Sequence, residues 1–226
     1  MTGNMESKII VALDRMDLSQ ATALGRKIKG HVAGFKFRVP MLLRHSIWAI
    51  HDLKHFGKVM LDTKGWDIES SMAEDDIPTY SKAGVDLVTL HASADTRRLA
   101  ACVKACQGTE TRLLAVTVLT DTTEEECLAL YGKPRKEAVP MLWGFARDAG
   151  VHGMVCGLPD IQLVDPKPEL IVCPGFRPPG TNTNEQKATG GYEEAKQASF
   201  VVIGRPITEA EDPLKVVEEF NKGLAG

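Results

Sequence analysis

Strand-length apolar runs and amphipathic stretches of helical length alternate along the whole of this chain, and that alternation limits what it can fold into. Eight apolar runs, rich in Val, Ile and Leu, occupy 8–14, 32–37, 58–63, 86–91, 112–119, 152–156, 170–173 and 200–204. They are almost continuously apolar rather than alternating, as strands of a parallel sheet covered on both faces should be. Between them, Leu18, Ala21, Leu24 and Ile28 recur at helical spacing, with Gly30 placed to stop the helix. Pro40 opens a helical stretch over 40–56 that Gly57 can end. Asp95 is placed to cap 96–107, and Asp212 followed by Pro213 starts a last helix carrying Leu214, Val217 and Phe220. Within 68–83, Pro78 should break or restart the helix. The stretch 124–150 has room for two short helices around Gly132 and Pro134.

Eight such units in 226 residues point to one α/β domain over 1–226, a closed (β/α)8 barrel of the TIM type. A doubly wound open sheet has the same periodicity, which alone does not separate the two. One stretch breaks the rhythm. Residues 174–191 are long, polar and rich in Gly, Pro, Asn and Thr, as loops with a function or without order are.

The net charge of −3 is spread without long runs of one sign, so neither nucleic acid nor an anionic membrane is expected as a partner. The first apolar run, 9–13, is too short for a signal peptide, and no stretch approaches a membrane span; a cytoplasmic protein is expected. The five cysteines, Cys102, Cys106, Cys127, Cys156 and Cys173, form no C-x-x-C pair and read as reduced thiols. Cys102 and Cys106 lie one helical turn apart and should share a buried face. His51 and His55 have metal-ligand spacing but fall late on a helical stretch, where packing or surface roles are expected. No motif for a metal, flavin or pyridoxal cofactor is present, and none is expected.

Chemical handles collect at the C-terminal ends of the expected strands: Asp14, Lys36, Asp62, Lys64, His91, Arg177 and Arg205. In a barrel those ends form one mouth, the usual place for an active site. The sharpest signal is Asp62-x-Lys64-x-x-Asp67 after the third strand. Asp62 and Lys64 are two apart and face one side if the strand persists that far. Carboxylates flanking an ammonium hold it charged. Each close pair is worth roughly 4 kcal/mol at an effective dielectric of about 20, before desolvation is subtracted. Such an array suits a reaction that builds negative charge on carbon and then protonates it.

The D-x-K-x-x-D motif resembles the signature of the orotidine 5′-phosphate decarboxylase family, and the flanking pieces match in order and spacing. They are Val11-Ala12-Leu13-Asp14, Gly34-Phe35-Lys36, Val88-Thr89-Leu90-His91-Ala92-Ser93, the fifth-strand run 114–120, Cys173-Pro174-Gly175-Phe176-Arg177-Pro178 and Val202-Ile203-Gly204-Arg205-Pro206-Ile207-Thr208. The resemblance implies decarboxylation of orotidine 5′-monophosphate to uridine 5′-monophosphate in de novo pyrimidine biosynthesis, with no cofactor. It implies an alternating Lys36, Asp62, Lys64, Asp67 array in which Lys64 protonates C6 and Asp62 sits against the departing carboxylate. Asp14 and Lys36 would bind the ribose hydroxyls, and Gly204 and Arg205 the phosphate. Thr120 and Pro174 would contact substrate, and Gln186 would bridge phosphate and pyrimidine. Asp67 and Ser71 would reach into the neighbouring subunit's site, which implies a homodimer with shared active sites.

The chain departs from the family pattern in three places. Glu69 stands where Pro is usual; Asp121 replaces a common Ser; and the residues around Gln186 differ. A second Asp76-Ile77-Pro78 is not the motif, since choosing it would strip Asp62 and Lys64 of their spaced partner. Magnesium-dependent relatives acting on sugar phosphates carry an acid at the position of Lys36. A catalytically dead barrel that binds a nucleotide or a partner is the reading outside enzymology.

Overall fold

The structure is a computed structural model that describes residues 7–176 and 190–225. Its eight strands are β1 (Ile9–Ala12), β2 (Gly34–Phe37), β3 (Lys58–Gly65), β4 (Leu87–His91), β5 (Arg112–Val116), β6 (Gly153–Val155), β7 (Leu170–Pro174) and β8 (Phe200–Ile203). They pair in parallel and in chain order, and β8 returns to β1 with Val201 opposite Ile9, closing the barrel. Closure excludes the open doubly wound sheet.

Strand periodicity divides the core in two. Ile10, Met60, Leu114, Val172 and Val202 fill the barrel interior. Ile9, Val11, Phe35, Val59, Leu61 and Val88 face outward under the helices. Successive residues of a strand point to opposite faces, so a continuous apolar run serves both layers. Several strands end sooner than the apolar runs suggest. β1 stops at Ala12 and β5 at Val116, which leaves Asp14 and 117–121 as loop residues on the mouth.

The first helix, α1 (Leu18–Ile28), starts at a reciprocal cap: Asp17 accepts from the Gln20 amide at 2.8 Å, and the Gln20 side chain accepts from the Asp17 amide at 3.0 Å. Its Ala21, Leu24 and Ile28 are buried, as their spacing requires. The expected helix over 40–56 is two helices, α2 (Val39–His45) and α3 (Trp48–Lys54), separated at Ser46 with φ 56°. The bend lets Met41 of α2 and Ala49, Ile50 and Leu53 of α3 all reach the core. Pro78 restarts the helix, one of the two outcomes expected of it. A π-helical turn (Ser71–Asp76) leads directly into α4 (Ile77–Lys82), with Pro78 in the first turn of α4. The wider turn accommodates a residue that has no amide to donate.

Asp95, opening α5 (Asp95–Ala105), accepts from the Arg98 amide at 3.0 Å and so caps that helix as expected. The 124–150 stretch is α6 (Glu124–Tyr131) and α7 (Arg135–Asp148), divided by Gly132 in the left-handed region. The remaining helices are α8 (Tyr192–Lys196), α9 (Arg205–Thr208) and α10 (Pro213–Ala225). In α10, Asp212 accepts from the Lys215 amide at 3.2 Å. All five cysteines are buried and unpaired. Burial pushes the Cys102 thiol up to about 12, with Cys106 adding to the effect. Among the described residues no helix is long and apolar enough to cross a membrane.

Candidate active site

A cavity of about 800 Å³ opens at the C-terminal ends of the strands. Strand β3 sets its chemistry. It runs to Gly65, further than its apolar run suggests, and it bulges: Leu61 pairs with Val88, but Gly65 pairs with Leu90. Lys64 sits on this bulge at φ 50°, an uncommon conformation for a residue with a side chain. Thr89 of β4 holds it there, accepting from the Lys64 amide at 2.9 Å while its own hydroxyl donates to Asp62 Oδ1 at 2.9 Å.

Asp62 is the hub. Lys64 Nζ stands 2.8 Å from both of its oxygens, and Lys36 Nζ lies 3.2 Å from Oδ2. Lys36 also reaches Asp14, at 3.0 Å and 3.3 Å from its two oxygens. The side chains of Lys36 and Asp62 are only 9% and 10% exposed, whereas Lys64 is 37% and Asp14 44% exposed. Burial is the largest single influence on the Asp62 carboxyl and pushes its pKa up. The charges of Lys36 and Lys64, with the bonds from Lys64 and Thr89, outweigh it together and hold the group below the usual carboxylate range. The result is a buried, ionised carboxylate, with Lys64 as the ammonium more open to the cavity.

Thr120, Pro174, Gly204 and Arg205 also line the cavity. Arg205 opens α9 with its side chain exposed. Asp67 and Ser71 do not line it. Asp67 is exposed, and its Oδ1 accepts from the Ile68 amide at 2.7 Å. Ser71 starts the π-helical turn. Arg177 and Gln186 lie outside the described residues. His91 ends β4 but faces Ser93, whose hydroxyl lies 2.8 Å from Nδ1. Burial and the nearby Lys64 charge keep its pKa below the usual imidazole value. His51 and His55 are exposed, with ring centroids 6.5 Å apart, away from the mouth.

Sequence reasoning assigned no role to Thr89, although it is a fully buried polar residue in an apolar strand. It also passed over Arg15 and Arg38, which line the cavity beside Asp14 and Lys36.

The model of the Orotidine 5′-phosphate decarboxylase / HUMPS family matches residues 7–220. A protein named Orotidine 5′-phosphate decarboxylase from Campylobacter concisus is 34% identical over 220 residues, covering 93% of this chain and 97% of the relative. One of the same name from Erythrobacter litoralis is 32% identical over 229 residues, covering 97% and 100%. The crystal structure of Orotidine 5′-phosphate decarboxylase from Lactobacillus acidophilus matches with a TM-score of 0.82 at 26% identity, covering 98% of this chain and 100% of that one. Similarity of this extent, in sequence and in fold, runs end to end through the residues that build the cavity: the chain belongs to the orotidine 5′-phosphate decarboxylase / HUMPS family.

Proposed function

We propose that this protein converts orotidine 5′-monophosphate to uridine 5′-monophosphate and carbon dioxide, a step of pyrimidine biosynthesis, with Lys64 as the proton donor. The observation that carries the reading is the Asp62–Lys64 pair, an ionised carboxylate and an ammonium 2.8 Å apart at the mouth. In the reaction the bond from C6 to the carboxylate carbon breaks and carbon dioxide leaves. The electron pair left on C6 takes a proton from the Lys64 ammonium, and solvent later returns one to the lysine. A fixed cation beside the developing carbanion lowers the barrier, since it needs no reorganisation at the moment of reaction. Asp62 holds the Lys64 ammonium in place and faces the substrate carboxylate, whose charge is lost as carbon dioxide departs.

Binding is assigned to the rest of the mouth. Asp14 and Lys36 take the ribose hydroxyls, Gly204 and Arg205 the phosphate, and Thr120 and Pro174 the region of the base. Gln186 is assigned to the bridge between phosphate and pyrimidine. Binding energy from a phosphate remote from C6 can be used to hold the reacting groups in place. The donor set favours this branch of the family over a metal-dependent one. Lys36 Nζ sits between Asp14 and Asp62, so a divalent cation there would meet an ammonium already bonded to both acids.

The active unit in this reading is a homodimer. Asp67 and Ser71 lie outside their own chain's cavity, where they are available to a neighbour's. Trp66 and Ile68 beside them are 65% and 60% exposed, and Leu43 and Trp48 on the adjoining βα unit are 82% and 65% exposed. Large apolar side chains left exposed beside Asp67 and on the next unit are of the kind a partner covers. Five buried, unpaired cysteines accord with a reducing compartment, the cytoplasm. The test is a spectrophotometric assay of the purified chain with orotidine 5′-monophosphate, with and without a chelator. Equimolar uridine 5′-monophosphate and carbon dioxide, unaffected by chelator, are expected. No turnover would overturn the activity, and turnover abolished by chelator would overturn the metal-free mechanism.

A further inference from the structure

We infer that Arg135 and Asp160, neither of which touches the cavity's catalytic array, are positioning residues that set the wall against which the pyrimidine lies. The proposal rests on the decarboxylase reading above. Arg135 opens α7, and Asp160 lies on the 3-10 turn (Leu158–Leu163) that follows β6. The guanidinium meets the carboxylate as a fork, Nε to Oδ1 at 2.8 Å and Nη2 to Oδ2 at 2.6 Å. Its remaining donors turn to the chain after β5: Nη1 donates to the Leu119 carbonyl at 3.1 Å and Nη2 to the Val118 carbonyl at 3.4 Å. Asp160 Oδ2 also accepts from the Gly157 amide at 3.1 Å. One ion pair thus ties the loop after β5 to the loop after β6.

The pair is built in rather than laid on the surface. The Asp160 side chain is 3% exposed and that of Arg135 14%. A buried pair of this kind is weak support for overall stability, because desolvation of both charges opposes their attraction. It does fix geometry, since breaking it would leave a buried charge and two carbonyls without their donors.

The order of strands around the barrel says what that geometry serves. The residues assigned to phosphate follow β8, those assigned to ribose follow β1 and end β2, and the reacting pair ends β3. The base must therefore extend towards the opposite arc, β5 and β6. There the lining includes Val118, Leu119, Thr120 and Asp121 after β5 and Cys156 after β6, the stretches that Arg135 and Asp160 join. A shift of this wall moves the base relative to Lys64 without disturbing the phosphate grip across the mouth.

The experiment compares wild type with Arg135→Ala, Arg135→Lys and Asp160→Asn. It measures kcat and KM for orotidine 5′-monophosphate, dissociation constants for uridine 5′-monophosphate and for ribose 5-phosphate, and Tm. Ribose 5-phosphate has the same phosphate and sugar but no base. Arg135→Ala should weaken uridine 5′-monophosphate about tenfold, as loss of a polar positioning contact does, and lower kcat by about 10²-fold through misplacement of the base. Ribose 5-phosphate should stay within about twofold, because its contacts are distant from the change. Arg135→Lys keeps the charge but not the fork and should fall between. If Arg135→Ala does not fold, Arg135→Lys and Asp160→Asn decide the matter by the same ratio of affinities. Equal losses for both ligands, or none for either, would overturn the positioning role while wild-type turnover upheld the activity. A wild type that neither turns over the substrate nor binds uridine 5′-monophosphate would overturn the activity and this proposal with it.

Discussion

Lys64 is held in place from two sides: its amide is bonded to Thr89 and its ammonium to Asp62. A left-handed backbone at a residue with a side chain costs of order 1–3 kcal/mol and persists only where its surroundings over-determine it. Here the cost is met by the bulge of β3, whose effect is to turn Asp62 and Lys64 into the same space. Replacing Lys64 with Ala should lower decarboxylation by about 10³-fold or more, the upper part of what a positioned proton donor contributes. Uridine 5′-monophosphate should still bind, because phosphate and ribose contacts remain; activity and calorimetry measured on the same preparation check both halves. Activity within about tenfold of wild type would remove Lys64 from the role of general acid. At this scale the sequence was legible where charge and spacing coincide, as in Asp62-x-Lys64. Thr89 was not legible in function, because a threonine inside an apolar strand has the same letter whether it fills space or holds a carboxylate. Nor could spacing show the bulge on which the pair depends.

Strands and helices carry their own constraints. Gly34 of β2 and Gly153 of β6 stand where the barrel leaves no room: an added Cβ would lie 2.2 Å from the Lys58 carbonyl oxygen and 2.5 Å from that of Leu170. Gly34→Ala should destabilise the fold by about 3 kcal/mol or more, since backbone rather than a side-chain tip must move. Gly144, inside α7, has nothing within 4 Å of its added Cβ. Gly144→Ala should stabilise by up to about 1 kcal/mol through helix propensity, and urea unfolding of the pair measures the contrast. A second constraint depends on pH. His152 Nδ1 accepts from the Leu113 amide at 3.0 Å, joining the start of β5 to that of β6. Burial, then the charge of Arg112, hold its pKa below the usual 6.5. A lowered folded-state value means that the unfolded chain takes up the proton first as pH falls. This contribution is therefore complete above 6.5 and is lost as pH drops below it towards the folded-state value. His152→Asn should flatten the fall in Tm between neutral and mildly acidic pH; an unchanged slope would mean that His152 does not contribute. The element boundaries were legible where caps and glycines mark them, at Asp95, Gly132 and Asp212. They were not legible at Ser46, where core packing overrides the local signal, nor in the π-helical turn that precedes Pro78.

For the whole molecule, eight alternating units implied a barrel but could not show closure, which the pairing of β8 with β1 supplies. One chain assembles Asp14, Lys36, Asp62 and Lys64, and leaves Asp67 exposed outside the cavity. If Asp67 acts in catalysis, a second copy must bring it, and a two-fold dimer would return the same contribution from each chain. The competing account makes Asp67 a local turn residue, since its carboxylate already accepts from the Ile68 amide. Subunit mixing separates them. Lys64→Ala and Asp67→Ala homodimers should each be nearly inactive, the first for want of the proton donor and the second for want of the acid beside it. In a heterodimer with shared sites, one site lacks both residues and the other has both. With random exchange and independent sites, activity per subunit should recover to about a quarter of wild type. A turn role for Asp67 predicts instead that Asp67→Ala homodimers stay active, and a catalytic role within its own chain predicts that every site in the mixture stays defective, because each site would then draw both residues from one chain. Exchange must be shown independently, for instance by energy transfer between labelled subunits. With exchange shown and no recovery, the shared site is overturned; with recovery near a quarter, Asp67 acts across the interface and the dimer is the catalytic unit.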